Sequence, residues 1–132
     1  MSLRALCERF LEQVQFLSIY IREAHPVDGW WFGEGLLGWL VRKRIPQAAY
    51  HVYDPQDFEE RRALAGECEA SLKYGIPTLV DGMNDRVSQA YAARPTRLYL
   101  VGEDGRVAYA GGLGPWGFKP HELEGAIEIY FS

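Results

Sequence analysis

Cysteine is scarce in this 132-residue chain: Cys7 and Cys68 are its two. Two thiols make neither a disulfide framework nor a metal site, so no metal is expected and any role they have is as thiols. Long apolar runs are also missing. A bilayer-spanning helix needs about 20 consecutive apolar residues, and the longest candidate is Leu36 to Val41. The first ten residues carry Glu8 within their apolar periodicity and show no small-residue cleavage site, so no signal peptide is expected in them. A cytoplasmic location with no membrane partner is the expectation. There is no basic excess either, since 14 Lys and Arg stand against 18 Asp and Glu for a net charge of −4. With the signs interspersed, no basic stripe is left for nucleic acid. Internal repeats and low-complexity segments are absent, so one domain over residues 1–132 is expected, with small molecules or proteins as partners.

What is present is a regular alternation of helix and strand signals. Leu3, Leu6, Cys7, Phe10, Leu11 and Val14 share one face of a helix over residues 2–14. Cys7 lies mid-face, where core packing is the simplest reading. Phe16 to Ile21 is apolar except for Ser18, as in a parallel strand covered on both faces. Asp54-Pro55-Gln56-Asp57 supplies an N-cap acid, a first-turn proline and a further acid, so a helix is expected from there to about Lys73, stopped by Tyr74-Gly75. Its inward face carries Phe58, Arg61, Ala65, Cys68 and Leu72, which makes Cys68 buried too. Thr78 to Val80 is a short strand, followed by a helix capped by Asn84 with Val87, Ala90 and Tyr91 inward. Arg97 to Val101 and Val107 to Ala110 flank Asp104-Gly105, a hairpin signal because glycine accepts positive φ. Gly111 to Gly117 reads as a loop and not a phosphate cradle, since no strand-to-helix order of spaced glycines surrounds it. A last helix opens at Pro120 and packs Leu123, Ala126, Ile127 and Tyr130.

The most informative stretch is Glu23 to Trp30, which leaves the end of the first strand. It puts an acid, Glu23, an imidazole, His25, and a second acid, Asp28, at a strand's carboxyl end, the edge where open α/β sheets bind ligands. A histidine titrates near neutral pH, and a neighbouring carboxylate can orient it and raise its pKa. An ordinary solvated turn fits the spacing as well. The residues themselves go further. The run Tyr20-Ile-Arg-Glu-Ala-His-Pro-Val-Asp-Gly-Trp30 resembles the signature of the iodothyronine deiodinases and their bacterial deiodinase-like relatives. The resemblance continues through Thr78 to Asn84, Arg97 to Val101, and Gly111 to Phe118, and so covers nearly the whole chain.

That resemblance implies an α/β, thioredoxin-like fold in three α/β/α layers, with an inserted strand-helix unit of the peroxiredoxin type. It implies an oxidoreductase in which Glu23 and His25 serve proton transfer beside a selenium or sulfur nucleophile. Asp28 and Trp30 would support the loop or the substrate, and a thiol reductant would be the co-substrate, with no bound cofactor. Pro95, directly before the hairpin, holds the family's cis-proline position, although Pro77 looks similar locally and cis or trans is left open. The chain departs from the pattern in two ways. The family places a strand and a Ser-Cys-Thr-selenocysteine-Pro-Pro-Phe type of loop before the first helix, and this chain starts inside that helix, so the first central strand and the nucleophile are expected to be missing. A selenocysteine codon taken for a stop, a gene truncation and a deliberate shortening all give that pattern. The second histidine of the family is unmatched, which leaves His51 and His121 as surface residues.

Two functions follow as expectations. The first is a deiodinase-like thiol or selenol redox protein, acting by reductive dehalogenation or peroxide reduction and inactive as the chain stands, with Cys7 or Cys68 as the possible substitute thiols. The second is a non-catalytic module that binds an aromatic ligand or a protein through Trp30, Trp31, Phe32 and Trp39. A central strand absent from the sheet would leave unpaired backbone groups, which predicts direct pairing of the flanking strands, a strand donated in a homodimer, or a marginal monomer.

Overall fold

Ser2 opens the first helix. Its backbone is extended and its hydroxyl accepts from the Ala5 N–H at 3.2 Å, satisfying one of the donors that a helix start leaves over. The computed structural model describes residues 1–22 and 54–132, and in it this helix, α1, spans Leu3–Phe10. It is shorter than the expected 2–14: a turn follows, and Leu11 is exposed while Leu6, Cys7 and Phe10 are buried.

Strand β1, Ser18–Tyr20, pairs in parallel with β2, Thr78–Val80, in the register Ser18↔Thr78, Ile19↔Leu79, Tyr20↔Val80. Helix α2, Phe58–Leu72, packs against β2. Coverage of both faces was expected, but Leu17, Ile19 and Leu79 are exposed, because the alternation of side chains turns them away from α2.

The start of α2 lies one turn later than expected. Asp57 is the N-cap, accepting from the Glu60 N–H at 2.9 Å, and the Glu60 carboxylate accepts in return from the Gln56 N–H at 2.8 Å. This reciprocal pairing outcompetes Asp54, whose carboxylate is held by Arg22. The far end agrees with the sequence, since Lys73 takes the left-handed conformation and returns its N–H to Glu69 O at 2.9 Å. On the inward face Arg61 and Ala65 are buried, Cys68 is only half-buried, and Phe58 and Leu72 are exposed where the helix ends overhang the short strands.

Helix α3, Arg86–Ala90, begins after Asp85 and not at Asn84. Asp81 holds its first turn, with the carboxylate accepting from the N–H groups of Val87 at 3.1 Å and Ser88 at 2.9 Å. That grip turns Ser88 inward, leaving Val87 half-buried and the expected Ala90 and Tyr91 exposed. The hairpin forms as read: β3, Tyr99–Val101, pairs antiparallel with β4, Val107–Ala110, and Gly105 takes φ +76° in the turn. Helix α4, Pro120–Phe131, carries its proline in the first turn and buries Leu123 and Ile127. Tyr130 is largely exposed, but its hydroxyl accepts from the Glu103 N–H in the hairpin turn at 2.9 Å.

The architecture is mixed α/β, with the element order the sequence suggests. Leu6, Phe10, Leu100, Leu123 and Ile127 form one apolar cluster uniting α1, β3 and α4. Among the described residues the strands form two separate pairs, β1–β2 and β3–β4, with no ladder joining them. Direct pairing of β1 with β3, one of the three expected outcomes, is therefore not seen among the described residues.

Candidate functional site

Between the two strand pairs lies a cleft of about 510 Å³. One wall is the first strand and its flanks, Leu17, Ile19 and Ile21, and the other is Leu98, Leu100 and Val101. Cys7 from α1 and Leu123 and Ile127 from α4 also line it. Pro95 and Thr96 stand at its edge, so the cleft brings together two residues singled out in the sequence, Cys7 and Pro95. The Arg94–Pro95 bond is cis, as is Gly114–Pro115.

The glycine-rich loop is packed onto this proline corner. Gly114 N–H donates to Thr96 O at 2.9 Å and Gly111 N–H to Leu98 O at 2.8 Å, while Arg97 Nε donates to Gly111 O at 2.6 Å. Close approach explains the glycine at 114: a Cβ there would lie 2.2 Å from the Thr96 methyl carbon. Sequence blocks 95–101 and 111–118 thus make one unit beside the cleft.

A second polar cluster sits where β1 and β2 end. Arg61 is 2% exposed, and its Nη1 donates to Gly82 O at 2.7 Å, Asp81 O at 3.3 Å and Asp85 Oδ1 at 2.9 Å. Asp81 is 3% exposed and holds α3 as described. Arg22 donates through Nε, at 3.1 Å, and Nη2, at 2.5 Å, to Asp54 Oδ2. The hydrogen bond and charge of Asp54, with a further contribution from Asp85, hold the Arg22 pKa above its ordinary value. This cluster was missed from the sequence, though it left a trace: Arg61 falls on the inward face of α2, and a cation there requires partners.

Burial pushes the Cys7 thiol up, with the Glu8 charge adding to it, so Cys7 stays protonated and lacks the electropositive setting of a reactive thiol. Cys68 is not in the cleft. It borders a small pocket with Tyr20, Ala65, Leu72 and Tyr74, whose phenol is also pushed up, by burial first and then by Cys68 and Cys7. His121 is exposed. Glu23, His25, Asp28, Trp30 and His51 lie outside the described residues. Among the described residues no group of three or more His, Cys, Asp or Glu could hold a metal, and no helix is long and apolar enough to cross a membrane.

A family model described as iodothyronine deiodinase matches residues 1–131. The chain belongs to the iodothyronine deiodinase family. To a thyroxine 5-deiodinase of Gallus gallus it is 34% identical over 129 residues, covering 98% of this chain and 44% of that protein. To a type I iodothyronine deiodinase of Xenopus laevis it is 32% identical over 123 residues, covering 93% of this chain and 42% of the other. The chain therefore spans less than half the length of these curated relatives. In this deiodinase-family chain the glycine-rich block and the proline corner are one packed unit, and the polar cluster lies at the carboxyl ends of β1 and β2.

Proposed function

We propose that this chain is the core of a cytoplasmic, thioredoxin-like unit for reductive dehalogenation, and that the cleft between β1 and β3 receives a further strand preceding α1 in the polypeptide. The loop after that strand would carry the sulfur or selenium nucleophile. The observation that carries the reading is that β1 and β3 belong to separate strand pairs among the described residues and line one cleft from two sides, with Pro95 at its edge. An inserted strand would satisfy the N–H and C=O groups of both edges, each of which costs about 1 to 3 kcal/mol when buried and unpaired. In the reaction, an aryl iodide and two thiols give the arene, a disulfide, iodide and a proton. The nucleophile takes iodine from carbon, and the carbon receives a proton. His25, oriented by Glu23 or Asp28, supplies that proton, while Trp30 helps to hold the aromatic substrate. The names of the relatives favour an iodothyronine as substrate, with other aryl halides and peroxides as the competing class.

Without that strand the chain should be inactive, because Cys7 is buried and held protonated. The experiment compares iodide release from an iodothyronine, with a dithiol reductant, by the chain alone and by the chain extended with an apolar strand and a Ser-Cys-Thr-Cys-Pro-Pro-Phe loop. The extended protein should turn over and the chain alone should not. His25→Ala in the extended protein should cost about 100-fold in turnover, within the usual range for an acid–base group, at an unchanged melting temperature. An inert extended protein would sink the reading. Equal activity of the two forms, with native labelling of Cys7 or Cys68 by a thiol reagent, would move the nucleophile to one of those thiols.

A further inference from the structure

We infer that Trp116 is a specificity-determining residue, which receives the second ring of a two-ring aryl iodide whose first ring reacts beside Pro95. This rests on the dehalogenation reading above and deepens it, because that reading fixes the reaction and leaves open what selects the substrate. Trp116 is 82% exposed, the highest value among the large apolar side chains described, and Leu113 on the same loop is 50% exposed. An indole offers a large, stiff, amphipathic contact face with few torsions to freeze, which is why tryptophan serves so often as an anchor for a ligand.

The loop beneath this indole is a fixed support. Gly117 N–H donates to Leu113 O at 2.8 Å and Phe118 N–H to Pro115 O at 3.3 Å, so two overlapping turns enclose Trp116. The backbone folds back on itself so closely that a Cβ at Gly117 would run into backbone atoms of Gly112 and Leu113. The support is in turn seated on the cleft rim, since Gly114 N–H donates to Thr96 O at 2.9 Å and Gly111 N–H to Leu98 O at 2.8 Å. Thr96 and Leu98 line the cleft, as Pro95 does. Two residues separate Trp116 from Gly114, so their Cα atoms lie within about 8 Å of each other. Trp116 itself stands outside the cleft lining, which suits it to the part of a ligand that protrudes and not to the part that enters. A one-ring aryl iodide has nothing left to offer it once its ring is beside Pro95. A two-ring substrate has, and stacked or edge-on aromatic pairs gain beyond the area they bury. Because the support is ordered beforehand, little freedom is lost when the ring arrives.

The test uses the strand-extended protein, with thyroxine as the two-ring probe and diiodotyrosine as its one-ring counterpart. Trp116 is so exposed that its replacement leaves the core untouched. Trp116→Ala should raise KM for thyroxine about tenfold with little change in kcat, and Trp116→Phe should recover most of that loss. Inhibition by diiodotyrosine should be the same in all three proteins. An unchanged KM for thyroxine, or an equal weakening of both probes, would overturn the inference. A second readout needs no turnover: the protein is labelled with fluorotryptophan, and the Trp116 fluorine signal is assigned by its loss in Trp116→Phe. Thyroxine should shift that signal and diiodotyrosine should not. An unmoved signal in a protein that releases iodide from thyroxine overturns the ring contact and leaves the dehalogenation reading standing. A signal shifted by thyroxine alone, without iodide release, overturns that reading and keeps the ring contact. No shift and no release would overturn both.

Discussion

Around the hairpin, α1 and α4 enclose Leu6, Phe10, Leu100, Leu123 and Ile127, a cluster with no charged member. Around the parallel pair the enclosed side chains include Arg61, Asp81 and Ser88, the buried polar and charged residues among those described. The first region is held by area removed from water, which is non-directional and tolerates small adjustments. The second is held by hydrogen bonds that fix direction: Arg61 reaches two carbonyls and a carboxylate, and Asp81 reaches two N–H groups of α3. The contrast separates a part that stabilises from a part that aims. The aimed part lies at the carboxyl ends of β1 and β2.

Breaking the polar end should have the largest effect. Arg61→Ala leaves Asp85 and two carbonyls without their donor, and breaking a buried pair from one side costs about 3 to 5 kcal/mol, readable as a lowered urea midpoint. Ile127→Ala, at 0% exposure, tests the apolar end and should cost about 3 kcal/mol through lost transfer energy and the cavity left behind. The two substitutions should also differ in kind. The first should increase hydrogen exchange in residues 81–91 at once, while the second should act on α1, the hairpin and α4 together. Asp81→Ala removes the carboxylate under α3 and should cost about 1 to 3 kcal/mol, again concentrated in that short helix.

Smaller effects sharpen the comparison from the surface. Arg9 bonds Glu124 and Glu128 across the α1–α4 seam but is half exposed, so Arg9→Ala should cost less than about 1 kcal/mol and lose its effect at high salt. Titration gives opposite signs at two places. The folded Cys7 thiol is raised by burial, so its contribution is complete below the ordinary thiol pKa and is lost as pH rises through the folded value. Cys7→Ala should flatten the alkaline limb of the stability profile. Glu122 is lowered by its hydrogen bond from Lys119, so its contribution is present above the ordinary carboxyl pKa and lost on acidification. This pair lies at the surface, and Glu122→Gln should change only a shallow acid slope.

Much of this was legible in the chain because local signals agreed with the fold. Asp104-Gly105 demanded a turn, Pro120 marked a helix start, and the Tyr74-Gly75 stop matched a helix ending at Leu72. The sequence also carried the family through the Glu23 to Trp30 run, which is a matter of residue identity and not of spacing. The misreadings share a cause. Local order alone gives Asp54 and Asn84 capping roles, whereas partners elsewhere in the fold decide them: Arg22 engages Asp54, and Asp81 takes over the first turn of α3.

Periodicity and composition by themselves determined the helix and strand types, the buried Leu6, Cys7 and Phe10 of α1, the buried Leu123 and Ile127 of α4, and the hairpin, because each depends on residues within a turn or two of one another. Only the tertiary structure decided that β1 and β3 stand apart with a cleft between them, that Cys7 and Pro95 line it, and that Arg22 meets Asp54. These are contacts between residues tens of positions apart. Their energies come from desolvation, charge pairing and backbone hydrogen bonds across the fold, to which the local pattern of one segment is blind.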